Sequence, residues 1–144
     1  MSSSVVISGS GLWKPDFSIS NEELVVAYNA YATQFNQINK LAIEQQELSE
    51  KPLSSAEFIE KASGIKSRYV YVKDGILDID RMRPMIPERA EDELSDQAEM
   101  AIHAAKDALK AANKTTDDID AVIVACAYTQ RSYPALAIEV QGAL

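Results

Sequence analysis

Cysteine and histidine occur once each in 144 residues, as Cys126 and His103. A single thiol excludes an intramolecular disulfide and a cysteine-rich metal site. A single histidine leaves no second imidazole at metal-ligand spacing, and His103 reads as a surface residue of a helix. Basic charge is also short: 14 Lys and Arg against 22 Asp and Glu give a net charge of −8. That balance argues against general nucleic-acid binding, because neutralising phosphates takes a basic footprint. No apolar run approaches the ~20 residues that span a bilayer. Met1-Ser2-Ser3-Ser4 has no basic n-region leading into an apolar stretch, so cytoplasmic residence is expected rather than secretion. No Gly-x-Ser-x-Gly elbow occurs. Gly9-Ser10-Gly11 lacks the third glycine of a dinucleotide fingerprint, since position 14 is Lys14 and Pro15 follows. Asp78, Asp80 and Glu88 lack the spacing and the glycine of a calcium loop, so no metal site is expected there.

What is present is a soluble, globular composition, 47% apolar and 25% charged, sufficient for one domain with a sizeable core. Val5-Val6-Ile7-Ser8 reads as a strand entering the turn Gly9-Ser10-Gly11. Ser20-Asn21-Glu22-Glu23 is a capping box that starts a helix at Asn21. Leu24, Tyr28, Tyr31, Phe35, Ile38 and Ala42 lay an aromatic-rich stripe along it, predicting a helix over about 21–48. The stripe reads as core or subunit contact, with a lipid- or partner-binding groove as the sharper alternative. Ser54 or Ser55 caps a helix over 56–62, closed by Gly64. Tyr69-Val70-Tyr71-Val72 alternates as a half-buried strand that turns at Lys73-Asp74-Gly75. Residues 76–93, with Pro84 and Pro87, read as an irregular surface excursion.

Ser95 caps a helix from Asp96 to about Ala112 whose buried face is largely alanine, Ala101, Ala104, Ala105, Ala108 and Ala112, between Met100 and Leu109. Residues 121–127 form an apolar run that reads as a strand buried on both faces. The polar, aromatic loop Tyr128-Thr129-Gln130-Arg131-Ser132-Tyr133 follows, and Pro134 is placed to open a helix running to Leu144. Short buried strands alternating with helices predict an α/β layered fold with a mixed sheet. Loops at the C-terminal ends of such strands are where ligands bind, so 128–133 is the candidate ligand loop. Cys126 tempts a nucleophile assignment, but its place inside the strand, remote in sequence from His103, favours a buried thiol acting as a small apolar residue. No complete nucleophile constellation is visible. Lys61, Lys66 and Arg68, and then Arg81, Arg83 and Arg89, read as solvated surface or as a local basic patch.

Several segments also follow one another in a recognisable order. Gly9-Ser10-Gly11-Leu12-Trp13-Lys14-Pro15 is a strand-turn with its proline, and Ser20-Asn21-Glu22-Glu23-Leu24 begins a helix. Phe58-Ile59-Glu60-Lys61-Ala62-Ser63-Gly64-Ile65-Lys66-Ser67-Arg68 runs from an aromatic helix through Gly-Ile to basic residues. Leu94-Ser95-Asp96-Gln97-Ala98 leads through the alanine-rich helix to Ile119-Asp120-Ala121-Val122-Ile123-Val124-Ala125, and Tyr133-Pro134-Ala135 leads into the last helix. Together these resemble the β-ketoacyl-acyl carrier protein synthase III family of thiolase-like condensing enzymes. The resemblance leaves out 32–51 and 76–93.

It implies that residues 1–144 are the N-terminal segment of a layered αβαβα fold with a mixed sheet. The family transfers an acyl group from acyl-CoA to a cysteine and condenses it with decarboxylating malonyl-acyl carrier protein, in fatty-acid biosynthesis. The resemblance implies no further cofactor, a cytoplasmic homodimer, and acyl carrier protein as partner. It places the family's Cys, His and Asn beyond Leu144, so no catalytic residue is assigned here and the chain alone is expected to be inactive. Phe58 stands where the family has a tryptophan that packs on the CoA adenine, and Ala62 where it has an arginine. Lys61, Lys66 and Arg68 remain as contacts for CoA phosphates or for carrier protein. Cys126 and Ala127 fall at strand-end positions that line the acyl pocket. Tyr133 falls where an aromatic residue caps the acyl tunnel of the dimer partner, with a packed loop aromatic as the other reading. The alternative to the enzyme segment is a non-catalytic interaction module docking through the aromatic stripe of the 21–48 helix.

Overall fold

Ser20 accepts the N–H of Glu23 at 3.2 Å and the Glu23 carboxylate takes the N–H of Ser20 at 2.9 Å, so the expected capping box is closed on both sides. It opens α1, Asn21–Ile38, in a computed structural model that describes residues 5–144. The reading of Met1 to Ser4 therefore lies outside the described residues. The chain divides into two compact units, Pro15–Pro87 and a second one joining the chain up to Lys14 with Glu88–Leu144.

In the first unit, β1 (Phe17–Ser20) pairs antiparallel with β2 (Ser67–Val70), Phe17 opposite Val70 and Ser20 opposite Ser67. Pairing with β1 sets the position of β2, two residues earlier than the alternation at 69–72 suggested. Ile19 and Ala32 are 1% and 0% exposed and form the centre of the unit with Ala27. Asn21 is buried and fully used: its Nδ2 donates to the Ile65 carbonyl at 2.6 Å, its backbone N–H to the Lys66 carbonyl at 3.1 Å, and its Oδ1 accepts from Arg68 Nη2 at 2.9 Å.

The helix expected to reach about 48 ends sooner. The break falls at Asn39, whose backbone N–H still donates to the Phe35 carbonyl at 3.0 Å and whose Nδ2 shares that carbonyl at 2.8 Å. The chain then resumes as the short α2, Lys40–Glu44. Residues 51–54 lie back along α1, where Asn29 and Asn36 each use both ends of the side-chain amide. Asn29 bonds the carbonyl and N–H of Ser54, and Asn36 those of Lys51, all at 2.8–2.9 Å. Tyr28 Oη adds a bond to the Pro52 carbonyl at 3.1 Å, and Lys51 Nζ sits 4.5 Å from the centre of the Phe35 ring. Much of the aromatic stripe is thus engaged within the unit. α3 (Ala56–Ser63) is capped by Ser55 and closed by Gly64 at φ 73°, as the sequence predicts. Residues 76–93 contain neither helix nor strand.

In the second unit, α4 (Asp96–Ala112), capped by Ser95, packs on α5 (Leu136–Ala143). Their buried contact is Ala98, Ile102, Leu136 and Val140. The deepest burial on α4 therefore falls on Ala98 and Ile102, while the expected alanine stripe is half-buried. That stripe serves a closer approach. A Cβ on Gly11 would collide with the Ala104 carbonyl and the Ala108 N–H, and one on Gly9 would lie 2.6 Å from the Ala108 carbonyl. Gly9-x-Gly11 is a packing device that lets main chain ride on α4. Leu12 N–H bonds Asp107 at 3.3 Å, and Trp13 stacks on His103 with ring centroids 6.5 Å apart. His103 is thus a stacking partner as well as an exposed residue.

Neither residues 5–8 nor 121–127 form a strand, because no neighbouring strand among the described residues pairs with them. Val5 and Ile7 are more than nine-tenths exposed. In 121–125 the alternation survives on one face only: Val122 and Val124 pack on the core, while Ile123 is 93% exposed. The expected double-sided burial is corrected accordingly. α5 begins at Leu136 with Ala135 as its cap, so Pro134 precedes the helix instead of opening it. The Ala135 carbonyl takes the first N–H groups, and Leu136 is the residue that reaches the core. Helices with a small sheet are compatible with an α/β fold. The sheet among the described residues is antiparallel, not mixed. No described helix is long and apolar enough to cross a membrane.

Candidate functional site

The loop after residue 125 is fastened to the N-terminal end of α4 by polar side chains. Glu139, an isolated carboxylate in the apolar α5, is 8% exposed and reaches Ser95 with both oxygens. Ser95 N–H donates to Oε1 at 3.0 Å and Ser95 Oγ to Oε2 at 2.8 Å. Arg131 lies 3.9 Å from Glu139 and donates to the carbonyls of Glu91 and Glu93 at 3.0 and 2.9 Å. Beside it, Arg89 pairs with the buried Asp96 at 2.5 Å and with Glu99 at 2.7 Å, and also donates to the Leu94 carbonyl. The hydrogen bond from Arg89 holds the Glu99 carboxyl below the usual glutamate range, outweighing the opposing effect of burial. Gln97 and Gln130 complete the attachment, with Gln130 Nε2 donating to Asp96 Oδ2 at 2.8 Å.

On this shelf stand the three residues assigned from the sequence to the acyl pocket. Cys126 is exposed, contrary to the buried thiol expected, because nothing among the described residues covers it. Its S–H donates to the Tyr128 carbonyl at 2.8 Å and its sulfur accepts from Gln97 Nε2 at 3.3 Å. Ala127 is exposed, and Tyr133 is 90% exposed. A groove of about 520 Å³ in the same unit runs between the alanine face of α4 and residues 121–125. Gln97, Gln130, Arg131 and Glu139 were not singled out from the sequence. The available signal was Glu139 itself, a carboxylate at a position the apolar pattern assigns to the core.

The other four assigned residues belong to the first unit. Phe58 is 66% exposed and lines a groove of about 720 Å³ with Leu24, Val25, Tyr28, Leu53, Ile59 and Met82. Lys61, Lys66 and Arg68 are not among its walls. Lys61 is exposed, and Lys66 pairs with Glu60 at 3.3 Å on the surface. Arg68 is half-buried and turned toward Asn21, with Nη1 buried and lacking a hydrogen-bond partner among the described residues. No group of three or more His, Cys, Asp or Glu among the described residues is placed to hold a metal ion.

No protein-family model matches the chain. It is 52% identical over 118 residues to a beta-ketodecanoyl-[acyl-carrier-protein] synthase of Pseudomonas aeruginosa, a match covering 82% of this chain and 34% of that synthase. The chain thus spans about a third of the relative's length. The resemblance to the β-ketoacyl-acyl carrier protein synthase III family read from the sequence is borne out by this match.

Proposed function

We propose that the chain is the N-terminal segment of a thiolase-like condensing acyltransferase of fatty-acid biosynthesis, working in the cytoplasm as a homodimer with acyl carrier protein as partner. The observation that carries this reading is the 52% identity to a synthase named for a β-ketoacyl-carrier-protein product. In the reaction, a cysteine thiolate attacks an acyl thioester and the donor thiol leaves. Malonyl-acyl carrier protein then loses carbon dioxide, and its carbanion attacks the enzyme-bound acyl carbon, releasing the thiolate. A β-ketodecanoyl product has ten carbons, so the analogous reaction here would extend an eight-carbon acyl group.

The described residues supply walls and entry rather than the reacting groups. Cys126, Ala127 and Tyr133 face the acyl chain, Phe58 receives the adenine of CoA, and Lys61 and Lys66 meet phosphates or the acidic carrier protein. Arg68, bonded to Asn21, acts by holding the entry segment in place. Cys126 engages an amide and a carbonyl, neither of which is a base, so the chain alone carries no condensing activity. The apolar side chains left exposed at Val5, Ile7 and Ile123 support a body completed by further protein.

The test is a condensation assay on the full-length protein containing this chain, with malonyl-acyl carrier protein and acyl-CoA donors of two to twelve carbons. Formation of β-ketoacyl-acyl carrier protein by the full-length protein, and none by the 144-residue chain, is expected. Absence of product from the full-length protein with every donor would overturn the reading.

A further inference from the structure

A helix leaves its first N–H groups without partners of its own. In α4, Ser95 Oγ takes the N–H of Ala98 at 3.2 Å, as a capping serine does. The N–H of Gln97 is taken from 33 positions away, by Gln130 Oε1 at 3.3 Å. Gln97 Oε1 returns the bond, accepting the N–H of Gln130 at 3.2 Å. The two amide nitrogens are used as well. Gln130 Nε2 donates to Asp96 Oδ2 at 2.8 Å, and Gln97 Nε2 donates to the Tyr128 carbonyl at 3.0 Å and to Cys126 Sγ at 3.3 Å. This is the reciprocity of a capping box, assembled from two segments distant in sequence.

The arrangement reaches the main chain of the loop at two points, the Tyr128 carbonyl and the Gln130 N–H, while the core contact of Ala98, Ile102, Leu136 and Val140 involves neither glutamine. Gln97 is half-buried and Gln130 exposed, so their bonds add little to overall stability. What they fix is local: the course of 126–131, which ends two residues before the exposed Tyr133.

The geometry points to Gln97 and Gln130 as positioning residues that set where this main chain, and with it Tyr133, stands. Resting on the condensing-enzyme reading, the pair governs which acyl lengths are accepted and leaves the chemistry of condensation unchanged.

Cys126, the sole thiol, reports the loop directly. In the 144-residue chain, Gln130→Ala touches no bond of the sulfur, yet should raise the rate of Cys126 labelling by a disulfide reagent roughly three- to tenfold, as expected for losing one or two surface hydrogen bonds. Lys110→Ala, in the last turn of α4, should label at the wild-type rate. Should Gln130→Ala lose helical signal, Gln130→Asn, one methylene shorter, carries the same test. In the full-length protein, Gln130→Ala should change the ratio of kcat/KM between a short and a longer acyl donor by about threefold or more, with kcat on the preferred donor nearly kept. Unchanged labelling overturns the proposal, as does faster labelling with an unchanged acyl ratio. A wild-type full-length protein that condenses nothing overturns the functional reading and the selectivity role with it. The labelling result then still decides whether the glutamines hold the loop.

Discussion

Replacing Glu139 with leucine is the sharpest test of how the second unit is held together. The Glu139 side chain is 5% exposed and its two oxygens accept from Ser95 N–H and Oγ at 3.0 and 2.8 Å. Leucine fills a similar volume and adds apolar contact, but it leaves a buried N–H with no acceptor and Arg131 without its carboxylate. An orphaned buried donor costs about 1–3 kcal/mol, and the hydroxyl recovers part of its loss by rotating. Breaking one side of a buried charge arrangement adds to this, reduced here because Arg131 stands 3.9 Å away and keeps two carbonyl partners. The sum is about 3 kcal/mol of destabilisation. Glu139→Gln keeps the acceptor for the Ser95 N–H and turns an amide donor toward a serine oxygen that can accept it, so its cost should be near 1 kcal/mol. Ser95→Ala loses the α4 cap and a bond to the carboxylate, about 2 kcal/mol, and should be strongly non-additive with Glu139→Leu, since both remove the same contact. Urea unfolding followed by the emission of Trp13, the sole tryptophan, reads the unit that contains all three residues. A cost below about 1 kcal/mol for leucine, equal costs for leucine and glutamine, or simple additivity with Ser95→Ala would each refute the reasoning.

Two further outcomes follow from separate parts of the same unit. Gly11→Ala places a methyl on the Ala104 carbonyl and the Ala108 N–H, and should lift 9–13 from α4 at about 1–3 kcal/mol with a red shift of Trp13 emission, whereas Gly142→Ala, with nothing within 4 Å, should be neutral or stabilising; native emission from Gly11→Ala would contradict the packing account. Glu99 has its carboxyl depressed by the Arg89 hydrogen bond, so its contribution is present above the usual value of 4.5 and is lost as pH falls through the lower folded value; the stability advantage of the wild type over Glu99→Gln should be seen at pH 7 and shrink as pH falls below 4.5 in urea titrations, and a pH-independent difference would remove the ion pair as its cause.

The features legible in the sequence are those settled within one turn of chain. Ser20 with Glu23, Ser55 and Ser95 as caps, and Gly64 as the left-handed stop, each need partners no more than four residues away, and each is found where the pattern places it. Even within that range one break was missed, at Asn39, where the side chain and the backbone N–H share the Phe35 carbonyl and the long helix is interrupted. The site itself was legible only as a loop of suitable composition. Its fastening depends on Glu139 meeting Ser95 at a separation of 44 residues, and on Gln130 meeting Gln97 at 33. No local preference selects those pairs. The Gly9-x-Gly11 segment illustrates the same limit, because the glycines answer to the close approach of α4, more than ninety residues away.

The same limit explains why both apolar segments read as strands, 5–8 and 121–127, and neither forms one. Period-two alternation specifies which side chains can share a face, and in 121–125 that specification is obeyed, with Val122 and Val124 inward and Ile123 outward. A strand also needs a neighbour to take its N–H and C=O groups, and among the described residues no backbone–backbone hydrogen bond involves 121–127. β1 and β2 make the contrast within this chain: four residues each, no more apolar than 121–125, yet paired in register because each offers the other a complementary ladder. Apolar contact alone would cover Ile123 but leave the main chain of 121–127 unpaired, so a partner covering this face would have to bring backbone donors and acceptors along with a hydrophobic surface. A flanking strand would meet both demands, since it carries N–H and C=O groups at the spacing of the ladder as well as apolar side chains.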